Sequence, residues 1–304
     1  MHGPEIHQGD RAPLLPVDVG DPRCPRPAEA IWLVSGIGEG PLLASQLLAR
    51  GWRLRVSVVG EAAGLAYAPH PALELQVGAL AGADGIAAAL GAARRQGGFR
   101  WVVDGTHPFA ERISADLLAA CQRLDQPLLR LQRPPQPLAG LTSSRAPGPK
   151  RRLLASLADL ADLDLGGQRL LLAIGARRLG QALAHSPARA HFARILPNPT
   201  SLALARAAGL ADGQLACLHP AQAVAAEGAG AIERALCRRW AIDAVLCRQS
   251  GGVTEQLWSE LCAELGLELL LLRQPRASDQ PPGLEFTALL EALGHPGGLS
   301  QSLG

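Results

Sequence analysis

The chain has 304 residues, of which 48% are hydrophobic and only 18% charged, with a formal net charge of +2. That length suits two domains and that composition suits buried cores, which excludes a chain disordered throughout. Aromatic residues make up only 3% and the charges are interspersed, which argues against a nucleic-acid track or a base-stacking platform and leaves room for a local basic pocket.

Residues 1–29 carry an early acid, Glu5, several prolines and no continuous apolar segment. That is wrong for a signal peptide, and the segment reads as a disordered leader. From Ile31 onward, short aliphatic runs alternate with Ala/Leu-rich stretches of helical spacing. "IWLVS" (31–35) leads through "GIGEG" into "PLLASQLLARG"; then come "RLRVSVV" (53–59), "LELQVG" (73–78), a helix near 84–96, "RWVVDG" (100–105), a helix from about 108 to 124, and "PLLRLQR" (127–133). This alternation predicts a parallel sheet covered by helices on both faces. Five prolines between 134 and 150 interrupt it and mark a boundary or hinge.

After the boundary, "RRLLASLADLADL" (151–163) reads as an amphipathic helix, and a second alternation follows. Its runs are "RLLLAIG", a helix near 177–185, "FARILP", a helix near 200–208, "QLACL", a helix from about 221 to 238, "IDAVLC", a helix from about 254 to 265, and "LELLLL". The expected fold class is α/β, with two Rossmann-like doubly wound parallel-sheet domains and a crevice between them. The first domain spans 30–140 and binds the cofactor, the second spans 141–275 and binds the substrate, and 276–304 form a tail with one helix around 284–293. No run reaches the roughly 18 apolar residues of a membrane span, because "LELLLL" is cut by Glu268 and closed by Arg273. A soluble, cytoplasmic protein with no membrane or nucleic-acid partner is expected. The six cysteines, Cys24, Cys121, Cys217, Cys237, Cys247 and Cys262, show no paired spacing, so neither a metal site nor a disulfide framework is expected.

In an open parallel sheet the ligand crevice lies beyond the carboxyl ends of the strands. Four polar clusters fall there: "SGIGEG" (35–40), "DGTHPF" (104–109), "IGARRL" (174–179) and "CRQSGG" (247–252). The glycines of the first, with Ile37 and Glu39 between them, can cradle a pyrophosphate at a helix N-terminus or simply make a tight turn. In the second, Pro108 suits a first helical turn, and Thr106 or His107 can cap it. A cap leaves Asp104 and the imidazole unexplained. Asp104 either fixes the loop through backbone N–H groups or binds a ribose or amide. Near a helix N-terminus His107 is expected to be neutral and able to donate a hydrogen bond. Arg248, Ser250 and Gly251 gather a cation, a hydroxyl and backbone donors for an anionic group. Arg177 and Arg178 open a helix whose dipole they oppose, and Arg130 and Arg133 end a strand at the same rim. His185 and His191 read as surface or structural residues.

The blocks "VVDGTHPFAERIS" and "PLLRLQRP", with "VSGIGEG", "VGALAG", "ARILP" and "RQSGG" in order from Ile31 to Pro275, resemble the precorrin-6A reductases of cobalamin biosynthesis, including their cobalt-precorrin-6A counterparts. The resemblance implies NADPH as hydride donor and reduction of one ring double bond in a polycarboxylate tetrapyrrole. It assigns Gly36, Ile37, Gly38, Glu39, Asp104, Thr106 and His107 to the cofactor, with Ser57 near its adenosine end. Arg130, Arg133, Arg177, Arg178, Arg248, Ser250 and Gly251 go to the macrocycle, with His107, Asp104, Arg248 and Ser250 at the reacting centre. Transient contact with neighbouring enzymes of that pathway is compatible with this reading.

Three departures stand out against the family pattern. Ser35, Gly36 and Ile37 replace a G-G-T; Arg248, Gln249, Ser250 and Gly251 replace K-D-S-G and lose its carboxylate; and "HPA" (219–221) replaces G-P-F and loses an aromatic wall. Two other functions are compatible with the residues: an NADP(H)-binding sensor without turnover, and a reductase of a different small substrate.

Overall fold

The computed structural model describes residues 29–36, 38–134, 150–219, 228–275 and 283–296. The leader, Ile37, most of the proline-rich boundary, Pro220 and Ala221 lie outside the described residues, as does the expected start of the helix after 221.

The first unit is a five-stranded all-parallel sheet in the order β3-β2-β1-β4-β5. Its strands are β1 (Ala30–Ser35), β2 (Arg53–Val58), β3 (Leu73–Val77), β4 (Trp101–Gly105) and β5 (Leu128–Arg130). The connecting helices are α1 (Gly40–Ala49), the short α2 (Glu61–Gly64), α3 (Gly82–Arg94) and α4 (Glu111–Arg123). Strand alternation sends Ile31 and Leu33 into one core with Leu43, Leu47 and Val56, and Trp32 and Val34 into another with Ile86, Leu90 and Leu117. A sheet buried on both faces needs aliphatic residues in successive positions, which is why β1 reads as a continuous apolar run.

The second unit is a six-stranded parallel sheet in the order β6-β11-β10-β7-β8-β9. Its strands are β6 (Arg151–Leu154), β7 (Arg169–Ala173), β8 (Ala190–Ile195), β9 (Leu215–Cys217), β10 (Ala244–Arg248) and β11 (Glu268–Leu272). Helices α5 (Leu179–His185), α6 (Pro199–Ala207), α7 (Ala231–Arg239) and α8 (Val253–Leu265) cover its faces. From β7 to β11 the winding repeats that of the first sheet, so the strand order reverses between β1 and β4 in one unit and between β7 and β10 in the other. These are the two topological switch points.

Two local expectations are corrected. Residues 151–163 are not one helix. Arg151–Leu154 pair in parallel with β11 from Leu269 to Leu272, giving the edge of β11 a hydrogen-bonding partner and burying Leu154. A 3-10 helix then starts afresh at Leu157, capped by Ser156, whose backbone N–H and hydroxyl both bond the Asp159 carboxylate. Helix α4 begins at Glu111 rather than at Pro108. The backbone N–H of Ala110 donates to the His107 carbonyl at 2.7 Å, so Pro108 and Phe109 form a turn that stands ahead of the helix.

The segment after the second sheet returns to the first. Leu284 exchanges backbone bonds with Arg130 and Gln132, each 2.8 Å, forming a parallel bridge at Leu131. Helix α9 (Phe286–Leu293) then buries Leu289, Leu290 and Leu293 against Leu43, Leu47 and Trp52. The Trp52 indole N–H caps the contact by donating to the Gly294 carbonyl at 3.0 Å. Leu289→Ala therefore opens a void in the first core and is expected to lower stability by about 2–5 kcal/mol, measured by urea denaturation. A change below about 0.5 kcal/mol, the usual surface value, would mean that the helix does not dock as described.

Candidate functional site

The carboxyl ends of β1 and β4 are fastened side by side. The Ser35 hydroxyl donates to the Gly105 carbonyl at 2.9 Å, and the Tyr67 hydroxyl, carried in after α2, donates to the Gly36 carbonyl at 2.7 Å. This crowding explains two glycines. A Cβ at Gly40 would stand 2.3 Å from the Tyr67 oxygen, and one at Gly105 would stand 2.9 Å from the Ser35 oxygen. At Gly36, by contrast, a Cβ would meet nothing within 4 Å, so there is open space beside the backbone at that point of the loop. Burial raises the Tyr67 phenol to about 12, keeping it a hydrogen-bond donor.

The 104–109 loop is built by its own side chains. Asp104, 3% exposed, accepts from the Thr106 backbone N–H at 3.0 Å and from the Thr106 hydroxyl at 2.6 Å. Thr106 in turn reaches the Ser114 hydroxyl at 3.2 Å, and Arg130 lies 3.9 Å from the other Asp104 oxygen. Asp104, Thr106 and Arg130 thus shape the loop from beneath. Thr106 does not cap α4. His107 Nδ1 accepts the Phe109 backbone N–H at 3.2 Å, which leaves Nε2 to carry the proton. Burial first, then the positive charges of Arg248 and Arg133, drive its pKa down to about 3. The imidazole is neutral, as expected, but through burial and guanidinium repulsion rather than a helix terminus.

Across the crevice, β10 ends in Arg248, and Gln249 and Ser250 are buried behind it. Arg248 has no carboxylate partner among the described residues. Its guanidinium lies 5.4 Å from the ring centre of Phe109, and Arg178 lies at the same distance. Both are within cation–π range of one ring. Burial, followed by the charge of Arg178, lowers Arg248 to about 10, so it stays protonated at neutral pH. Glu255, in the first turn of α8 and 1% exposed, accepts the Gly251 backbone N–H at 2.7 Å and holds the glycine turn. Arg178 is committed to Glu111 at 3.1 Å, whereas Arg177 is exposed with no ion-pair partner among the described residues.

The two units meet at these loops. Phe109 packs against the second core, and beside it lies a cleft of about 190 Å³ lined by Phe109, Glu111, Arg178 and Arg273 among others. Gly251, at φ +69°, lies so close to Arg133 and Pro134 that a Cβ would stand 2.5 Å from the Pro134 carbonyl. Arg133 itself turns toward the first unit, bonding Glu39 at 2.6 Å and the Thr106 carbonyl at 3.3 Å.

The structure therefore brings together Gly36, Gly38, Glu39, Thr106, His107, Arg133, Arg178, Arg248, Ser250 and Gly251. Ser57 is excluded: it is 2% exposed, accepts the Trp32 indole N–H at 2.9 Å and lies 3.2 Å from the Gln76 side-chain oxygen, inside the sheet. His191 contacts Ser186, and His219 is exposed. Residue-by-residue reading misses Tyr67, Phe109 and Glu255. Glu255 left a signal, an acid three positions after a glycine pair that opens a helix. Among the described residues no group of His, Cys, Asp or Glu is arranged to hold a metal ion, and no helix is long and apolar enough to cross a membrane.

Comparison with known proteins bears on this arrangement. The family described as Precorrin-6x reductase CbiJ/CobK matches residues 30–293. The chain is 30% identical over 254 residues to the cobalt-precorrin-6A reductase of Synechocystis sp., covering 81% of this chain and 88% of that protein. It is 30% identical over 260 residues to the precorrin-6A reductase of Rhodococcus erythropolis, covering 84% and 92%. A solved structure named CobK precorrin-6A reductase superposes with a TM-score of 0.64 at 23% identity, over 88% of this chain and 99% of that one, which supports the two-sheet fold. Matched by the family across nearly all of its described length, the chain belongs to the precorrin-6x reductases of the CbiJ/CobK type.

Proposed function

We propose that this protein reduces precorrin-6A, or its cobalt-containing form, by hydride transfer from NADPH to a ring carbon–carbon double bond, as a cytoplasmic enzyme of cobalamin biosynthesis. The observation that carries this reading is Arg248: a largely buried guanidinium without a carboxylate partner among the described residues, placed at one switch point and within cation–π range of Phe109, which comes from the other. A protein does not leave such a charge uncompensated without a partner, and a macrocycle bearing many carboxylates supplies one.

The first unit fits a dinucleotide. Gly36 keeps space open, Gly38 lets the backbone approach closely, and the loop feeds α1, whose free N–H groups suit phosphate oxygens. NADPH, when bound, supplies the hydride, so the protein's contribution is binding, orientation and electrostatics. His107, neutral and with its Nδ1 occupied, offers an Nε2 N–H beside the nicotinamide end. Arg248, Ser250 and the Gly251 loop hold macrocycle carboxylates, with Arg178 stiffening Phe109 and the exposed Arg177 reaching an outer carboxylate. Asp104 acts by positioning the 104–109 loop rather than by touching the reacting atoms. The proton for the neighbouring carbon comes from water, and alignment at the crevice makes the transfer productive.

An anaerobic assay with NADPH and precorrin-6A tests the reaction, with macrocycle-dependent nicotinamide oxidation and a product heavier by two hydrogens as the expected result. Cofactor binding without turnover on either form of the macrocycle would sink it. Arg248→Gln is expected to raise the macrocycle KM by about tenfold or more, the worth of one charge-assisted hydrogen bond, while NADPH affinity stays within about twofold.

His107 gives a pH signature. Its folded pKa of about 3 lies below the ordinary 6.5, so the unfolded chain takes up that proton first as pH falls. The stability it contributes is complete above about 6.5 and is lost progressively toward 3. His107→Asn should flatten part of that loss in denaturation curves collected at stepped pH. An imidazole resonance of His107 that titrates near 6.5 in the folded protein would contradict the burial described.

A further inference from the structure

Arg133 and Glu39 occupy the space directly over both loops of the first switch point. The Arg133 Nε donates to a Glu39 oxygen at 2.6 Å, and its Nη1 donates to the Thr106 carbonyl at 3.3 Å. Its Nη2 lies 3.4 Å from where a Cβ on Gly38 would stand. The guanidinium thus spans the glycine loop and the 104–109 loop together. A carboxylate in that place is unfavourable for a loop that receives a dianionic pyrophosphate, because like charges at contact distance repel.

The two partners are held differently. The Arg133 side chain is 10% exposed, whereas that of Glu39 is 32% exposed. Arg133 is also anchored at its far end by Thr106, and its backbone carbonyl accepts from the Gln274 side chain. Among the described residues the Glu39 carboxylate has Arg133 alone as a partner, and it has a path to solvent. When an anion enters, Glu39 can swing out and Arg133 stays.

We infer that Arg133 is a ligand for the pyrophosphate of the nicotinamide dinucleotide, kept neutralised in the resting protein by Glu39, which the phosphate displaces. This rests on the proposed NADPH site and extends it: the family-pattern reading gave Arg133 to the macrocycle, and the geometry moves it to the cofactor. The exchange also reaches the second unit. A Cβ on Gly252 would lie 3.9 Å from the other Glu39 oxygen, and Gly251 sits against the Arg133 backbone. Departure of Glu39 therefore alters the seam on which the macrocycle-binding turn rests.

The test is NADPH affinity of the full chain without macrocycle, followed by nicotinamide fluorescence, for the wild type, Glu39→Gln and Arg133→Gln, with thermal melting of each. The exchange predicts that Glu39→Gln binds NADPH more tightly, by about fivefold, as expected on removing a competing half-exposed charge. It predicts that Arg133→Gln binds about tenfold or more weakly. If Arg133→Gln fails to fold, the Glu39→Gln result decides alone. Wild-type binding with Glu39→Gln unchanged or weaker, and a lower melting temperature, would reduce the pair to a structural strut and overturn the exchange, leaving the cofactor reading intact. A wild type that binds no NADPH at all would overturn both.

Discussion

Phe109 is the side chain on which the arrangement of the two units depends. It leaves the first sheet on a turn that precedes α4, inserts against the core of the second sheet, and is faced by Arg178 and Arg248. Aromatic burial supplies the non-directional part of the contact, and the two guanidiniums over the ring add a directional part. Because His107 is two residues away and its Nδ1 bonds the Phe109 N–H, the position of the imidazole is set by the same insertion. The seating of one ring therefore aligns residues of both switch points.

Positive charge is distributed across the site with few acids to answer it. Glu111 answers Arg178 and Glu39 answers Arg133, while Glu255 is turned to backbone N–H groups and Asp104 to Thr106. Arg248 is left with the ring face. The chain as a whole is nearly neutral, so the local excess arises from placement: strands that are far apart in sequence end at one crevice. Such focusing within low-dielectric walls is what favours a polyanionic ligand over bulk counter-ions.

Much of this was legible in the sequence. The two β-α alternations and the four clusters at strand ends follow from periodicity and topology, because parallel strands buried on both faces leave a strong apolar signal. What was not legible has physical reasons. "RRLLASLADLADL" has helical spacing over its whole length, but the edge of β11 recruits its first four residues as a strand, a tertiary effect that local spacing does not encode. The direction in which Arg133 turns, toward Glu39 and the Thr106 carbonyl, was not legible, because a strand end fixes where the Cα lies and not which way a long side chain turns. The resemblance puts Ser57 near the adenosine end of the cofactor, yet strand alternation points it at Trp32. Tyr67 follows a four-residue helix too short to show periodicity.

The return of α9 to the first sheet has a consequence for biogenesis. The second unit is contiguous from Lys150 to Pro275, whereas the first needs residues on both sides of it: Leu289, Leu290 and Leu293 complete a core begun at Ile31. On the ribosome, where chains emerge from the N-terminus at about 5–20 residues per second, the first sheet stays incomplete while the later-made unit can already close. The order of synthesis and the order of completion are thus inverted. The apolar face that α9 covers is therefore the last part of the first core to be sealed.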